Sequence, residues 1–188
     1  SDARLQYLLK GWYSDPCDVL PPGGFSEKSV LNRQSELICV PKSMTKNRSI
    51  SKEPCSLQYF QHGAQRRIDE YLQGHAVLSG RIDLHDQEQS KLLAQKGSIR
   101  GDWATIDLSS ASDSVTLHLV KSVFRGTPYL RPAICLRSDR TILPDGRVVD
   151  LQKYAPMGSD LCFPTMCLVF ACICEYVVRE QTGRASRL

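Results

Sequence analysis

Apolar residues recur every three or four positions at Leu57, Phe60, Ala64, Ile68 and Tyr71, which places one apolar face on a helix over residues 55–72. Gly74 ends it. Upstream, residues 1–35 carry Pro16, Pro21, Pro22, Gly23 and Gly24 and are irregular. Residues 37–40 form a short strand closed by Pro41, and 42–52, basic and serine-rich with no apolar period, read as a loop or edge ribbon. Downstream, a more polar helix is predicted over 86–95, with Gly97 after it, and a strand over 103–107. Val115, Leu119, Val120 and Val123 face one side of a helix that starts at a Ser112 or Asp113 cap and runs to about Phe124. Residues 134–136 and 147–151 pair as strands around the turn Leu143-Pro144-Asp145-Gly146. A loop over 154–159 then leads into a helix over 161–180. Short strands among helices, without regular alternation, predict an α+β fold. The longest apolar run, 161–178, is broken by Pro164, Thr165 and Glu175, so it reads as a buried helix before a membrane span.

Bulk composition narrows this picture modestly. With 188 residues, 41% hydrophobic and 23% charged, the chain can form a core and is one domain or a piece of a larger one. It begins at Ser1 with no targeting segment, as if cut from something longer. The net charge of +4 is unevenly spread. Arg33, Lys42, Lys46, Arg48, Lys52, Arg66 and Arg67 face only Glu36 and Glu53 over the same span, which favours a polyanionic partner. The eight cysteines include no Cys-x-x-Cys pair, so the usual zinc signature is missing. Reduced thiols and a cytoplasmic setting are expected.

Three segments carry candidate chemistry. The first is Val40-Pro41-Lys42 through Glu53-Pro54, where Lys42, Lys46 and Arg48 are spaced to converge on a polyphosphate. The second is Asp107-Leu108-Ser109-Ser110-Ala111-Ser112-Asp113. A carboxylate at the end of a buried strand is costly unless a cation or donor neutralises it, and a hard metal such as Mg²⁺ takes oxygen ligands. A bland account is equally open: Asp107 as a turn former and Asp113 as a helix cap. The third is Met157-Gly158-Ser159 ahead of a helix, where free backbone N–H groups and a hydroxyl suit a phosphate or a sugar.

In order and spacing these segments resemble the replicase of the small positive-strand RNA bacteriophages, the leviviruses, over about residues 38–178. Val40-Pro41-Lys42 through Glu53-Pro54, with Phe60-Gln61 and Gly63, resembles the family's basic motif F. Residues 104–114 resemble motif A, and Leu143-Pro144-Asp145-Gly146 with Val148-Val149 its connecting hairpin. Met157-Gly158, with Phe163 and Phe170, resembles motif B, although Ser159 stands where Qβ-like members carry Asn.

The resemblance implies a fragment of a right-hand polymerase. Residues 1–37 would be an irregular N-terminal part, 38–101 a fingers-like segment and 102–188 a partial palm. It implies that Asp107 and the Leu108 carbonyl bind Mg²⁺, two ions in the complete enzyme. Lys42, Lys46 and Arg48 would hold the nucleoside triphosphate, Asp113 would look to the ribose, and Gly158 and Ser159 would flank the nascent pair. RNA template and product, host elongation factors Tu and Ts and a ribosomal protein are the implied partners, in the cytoplasm of a bacterial host and with no membrane. The Gly-Asp-Asp of the family's motif C occurs nowhere in the 188 residues. Apolar surface left exposed and an isolated chain without activity are therefore expected. A non-catalytic RNA-binding module or a defective replicase remnant is the alternative, and a domain whose charges are turn formers and surface is a third reading.

Overall fold

A computed structural model describes residues 33–183 apart from 45, 77 and 87; the irregular reading of residues 1–35 lies almost wholly outside them. The described residues form four strands and six helices, a mixed α+β fold. The helices are α1 (Cys55–Gly74), α2 (Glu88–Arg100), α3 (Ala111–Ser114), α4 (Leu117–Val123), α5 (Leu130–Cys135) and α6 (Cys162–Thr182).

The core is helical. Leu57, Ala64, Ile68 and Leu72 of α1 meet Val120 and Val123 of α4, Ala133 of α5 and Leu168, Val169 and Cys172 of α6 in one cluster. Each fully buried aliphatic side chain contributes about 1.5–3 kcal/mol. Phe124 and Tyr129 pack edge to face with ring centroids 4.9 Å apart. The Tyr129 hydroxyl meets Thr165 Oγ1, which also donates to the Tyr154 hydroxyl at 3.3 Å. Burial pushes the Tyr154 phenol up to about 12, so it stays neutral. α6 is long and apolar enough to cross a membrane by length and composition. Here Thr165, Leu168, Val169 and Cys172 line its buried side, and Glu175 is ion-paired with Arg179 and, at 3.9 Å, with Arg81.

The strands β1 (Gln34–Ser43), β2 (Lys46–Lys52), β3 (Arg140–Ile142) and β4 (Val148–Asp150) form a mixed sheet in the order β2-β1-β3-β4. β1 runs parallel to β3, with Ser35 opposite Thr141, and the other two pairs are antiparallel. No strand residue belongs to the hydrophobic cluster. The buried strand positions are Ser35, Ser51 and Thr141 instead. Their hydroxyls satisfy one another or nearby carbonyls: Ser51 Oγ donates to Ser35 Oγ at 2.6 Å, and Ser35 Oγ to the Arg140 carbonyl at 3.2 Å. Arg33 and Asp139 close the start of the sheet with a 2.8 Å ion pair.

Several sequence expectations shift. The stripe of α1 is turned by about one residue: Leu57, Gln61, Ala64, Ile68 and Leu72 are buried, and Phe60 and Tyr71 lie at its margin. The helix expected over 113–124 is two helices, α3 and α4, separated at the extended Val115. Thr116, rather than Ser112 or Asp113, caps α4 by accepting from the Leu119 N–H at 3.1 Å. The turn at 143–146 is present, with Gly146 at φ 84°, but the strand before it is Arg140–Ile142. Ile134 and Cys135 close α5 instead, because so short an apolar run fits a buried helix as well as a strand.

The largest shift concerns residues 103–107, which form no strand; all of residues 101–110 are exposed, Ile106 by 82%. Among the described residues no strand runs beside this stretch to satisfy its backbone, so it has no ladder to join. It is held at its start, where Gly97 of α2 lies flat against Trp103. A Cβ on Gly97 would sit 2.7 Å from the Trp103 carbonyl oxygen and 2.8 Å from its Cβ. α2 accordingly continues through Gly97 instead of stopping before it. Trp103, Leu78, Leu93, Cys167 and Phe170 line an apolar cleft of about 590 Å³ beside Arg81 and Glu175. Exposed Phe163, Ile173, Tyr176 and Val177 add to the apolar surface on α6.

Gly97→Ala is expected to lower the stability of the chain by about 1–3 kcal/mol, since the new methyl must displace backbone. Urea unfolding followed by tryptophan emission checks this, and an unchanged midpoint would count against the Gly97–Trp103 contact.

Candidate functional site

β2 is an edge strand, and the sequence dictates how its free edge is used. Ser51 stands opposite Leu37, and its N–H points away from β1 to the Met157 carbonyl at 2.7 Å. The next residue, Gly158, has φ 116° and no room for a side chain. A Cβ there would lie 2.2 Å from the Ser51 carbonyl oxygen and 2.9 Å from Ile50 Cγ2. Only glycine tolerates both the backbone angle and the approach. The glycine loop is thus laid along the basic ribbon. Arg48 lies two residues before Ile50 and so on the same face of β2, roughly 7 Å along the strand. Arg48 is exposed and pairs through its backbone with Val40, and Lys42, also exposed, sits where the register shifts between Pro41 and Ser43. The Lys46 backbone pairs with Ser43 at the tip of the ribbon.

Behind this contact lies a buried polar junction. Gln61, fully buried in the apolar stripe of α1, donates from Nε2 to the Leu136 carbonyl at 2.7 Å and accepts from the Asp160 N–H at 3.2 Å. Glu53, at the end of β2 and 5% exposed, accepts from Ser138 Oγ. Arg137 between them donates to the carbonyls of Tyr154 at 2.6 Å, Lys153 at 3.0 Å and Leu151 at 3.2 Å. Burial raises the Glu53 carboxyl above its ordinary value, with Asp160 pushing the same way, while Ser138, Arg137 and Gln61 oppose the shift. Asp160 is likewise raised by burial, against the pull of His62, whose Nδ1 is 3.4 Å from Asp160 Oδ2. Ser159 is buried, and among the described residues its Oγ has no hydrogen-bond partner.

The acidic segment is arranged differently. Asp107 and Leu108 lie on the exposed stretch after Trp103, so the desolvation expected for a carboxylate on a buried strand does not arise. A turn follows in which Ser110 takes φ 51°, and Asp113 lies in the single turn of α3, exposed. α3 contacts α6, and the Asp113 charge helps burial raise the Cys162 thiol to about 11. Among the described residues no group of three His, Cys, Asp or Glu side chains is placed to hold a metal ion.

The structure therefore brings the Ile50-Ser51 end of the ribbon, two residues beyond Arg48, against Gly158, leaves Lys42 and Lys46 toward the far tip of the ribbon, and brings Asp113 to the start of the helix after that loop. It gives Asp107 and Leu108 no such neighbours. The junction residues Gln61, Arg137, Ser138 and Asp160 were not singled out as candidates from the sequence. The signals were the Phe60-Gln61 pair within the motif F resemblance and a glutamine among the apolar positions of α1.

The family described as RNA replicase, beta-chain matches residues 22–188. The RNA-directed RNA polymerase subunit beta of Enterobacteria phage SP is 38% identical over 156 residues, 81% of this chain and 26% of that protein. The same-named subunit of Escherichia virus Qbeta is 33% identical over 92% of this chain and 27% of its own length. The RNA-directed RNA polymerase beta chain of Escherichia phage MS2 is 36% identical over 70% of this chain and 23% of its own. The chain spans about a quarter of the length of these curated relatives.

The raised carboxyl of Glu53 makes stability depend on pH. The folded state holds this proton more tightly than the unfolded chain, so the contribution is complete below the ordinary value of 4.5 and is lost as pH rises through the folded value. Glu53→Gln removes that loss, and its denaturation midpoint is expected to fall less than the parent's between pH 4.5 and neutrality. Parallel profiles for the two proteins would contradict the assignment.

Proposed function

This chain belongs to the RNA replicase beta-chain family, and we propose that it forms the fingers and part of the palm of an RNA-directed RNA polymerase of an RNA bacteriophage. In the complete enzyme it serves template-directed nucleotidyl transfer from nucleoside triphosphates to an RNA 3′-hydroxyl during genome replication. The single observation that carries this reading is the docking of the glycine loop on the basic ribbon, with Met157 and Gly158 against Ser51. It supports the reading by joining the glycine loop to the strand that carries Arg48, on a chain related to polymerases along most of its length.

In this reading Lys42, Lys46 and Arg48 hold the triphosphate, Lys as a mobile point charge and Arg as a planar fork. Gly158 and Ser159 flank the incoming nucleotide, and the Ser159 Oγ, unpartnered among the described residues, supplies a hydroxyl there. Asp113 reads the ribose, where a carboxylate accepts from the 2′-hydroxyl. Residues 38–101 are the fingers-like segment and 102–188 the partial palm.

Polymerases of this kind use divalent metal, and Mg²⁺ in a two-ion site would neutralise the charge of phosphoryl transfer. Asp107 and the Leu108 carbonyl suit one hard cation, but they do not by themselves fit two ions about 4 Å apart. No further carboxylates are grouped with them among the described residues. The isolated 188-residue chain is accordingly inactive. The name "subunit beta" of the relatives fits work in a complex. RNA, nucleoside triphosphates, host elongation factors Tu and Ts and a ribosomal protein are the proposed partners, in the bacterial cytoplasm.

A second reading, a non-catalytic RNA-binding module, draws on the exposed setting of Asp107.

Primer extension with the purified chain, Mg²⁺ and all four nucleotides is expected to yield no product, and processive extension would overturn the inactivity. In a complete replicase carrying this segment, Asp107→Asn is expected to reduce synthesis by at least about a hundredfold while leaving the circular dichroism spectrum unchanged. Undiminished synthesis would favour the binding module.

A further inference from the structure

We propose that Gln61 is a positioning residue for nucleotide binding, one that sets the Gly158-Ser159 loop against the basic ribbon. The inference rests on reading the loop and ribbon as the nucleotide channel.

Gln61 lies between Leu57 and Ala64 on the buried side of α1 and is fully enclosed. A leucine or methionine would satisfy packing there, whereas an amide is tolerated only with both its ends bonded. Each end reaches a different part of the site. Oε1 accepts from the Asp160 N–H at the end of the glycine loop. Nε2 donates to Leu136, two residues before the Ser138 that holds Glu53 at the end of β2. Gln61 also lies close enough to Glu53 to act on its carboxyl directly.

Two neighbours on α1 act on the same residue as Gln61: the Gln58 side chain bonds the Asp160 carboxylate, and His62 Nδ1 stands 3.4 Å from it. The loop is therefore gripped at two places. Ser51 of β2 holds Met157, and α1 holds Asp160. Between the grips lie Gly158, bent to φ 116°, and Ser159, whose Oγ has no partner among the described residues. Releasing the Asp160 end would free the loop to move away from Arg48 without touching any residue assigned to the nucleotide.

The test uses a complete replicase carrying this segment and steady-state primer extension. Gln61→Met keeps the volume and removes both hydrogen bonds. It is expected to raise the KM for nucleoside triphosphates about tenfold and to change kcat per folded molecule much less. Leu57→Ala, one turn away on the same buried face, is expected to lower the melting temperature at unchanged KM. Two results would overturn the inference: an unchanged KM in folded Gln61→Met, or an equal rise in KM for Leu57→Ala, which would reduce Gln61 to a packing role. If Gln61→Met does not fold, the exposed His62→Ala carries the same test, with an expected rise in KM of about threefold; no rise would overturn it. Failure of the underlying reading is visible separately, as an Asp107→Asn enzyme that still extends primer at the parent rate.

Discussion

A sheet whose inner face is built from serine and threonine cannot be held to an aliphatic helical core by hydrophobic contact. The two parts are joined by buried polar bonds at residues 136–138. Gln61 reaches Leu136, Glu53 meets Ser138, and Arg137 spans to the carbonyls of 151, 153 and 154. Each such bond is worth only about 0.5–1.5 kcal/mol net, but a buried group left without its partner costs about 1–3 kcal/mol. The asymmetry selects one seating of the sheet over all neighbouring ones, where apolar contact would tolerate sliding. The ribbon of β1 and β2 and the loop after Ala155 are placed by this junction, so the candidate site inherits its geometry from buried hydrogen bonds.

Legibility in the sequence followed the type of force. Helix α1 was readable because an amphipathic period records burial directly, and α6 because of its long apolar run, although the position of Gln61 in the stripe of α1 was not, since a glutamine scores as surface. The turn at 143–146 was readable from proline and glycine alone, but the partner strand was not: Ile134 fits a short helix as well as a strand, and only the surrounding core decides between them. The residue types of the ribbon and glycine loop were legible as candidates. Their contact was not, because the Ser51–Met157 pairing links segments with no common period. The family resemblance supplied the order of the motifs that periodicity could not.

Residues 103–107 illustrate the opposite failure. Trp103, Thr105 and Ile106 carry strong β preference, yet strand formation needs a neighbour to complete its hydrogen bonds, and none lies alongside among the described residues. A propensity read locally was overruled by topology. The exposed position of Asp107 is the chemical consequence: a carboxylate in water suffers no desolvation penalty and gains no enforced geometry. The shape of this segment is set at its start by Gly97 beneath Trp103, not by the sheet.

The parallel pairing of β1 with β3 has a consequence for how the protein is made. Arg33 and Asp139, which close that pairing, are 106 residues apart in sequence, whereas β1 and β2 are neighbours joined by a tight connection. Contacts across so wide a span come at the cost of closing a long loop and form slowly. On the ribosome the basic ribbon emerges ahead of β3 as a lone hairpin, which is marginal in water by itself. It waits through the synthesis of about a hundred residues for the strand that secures it. The segment bearing Lys42 and Arg48 is then translated well before the strand that secures it and reaches its final place only after that strand has emerged.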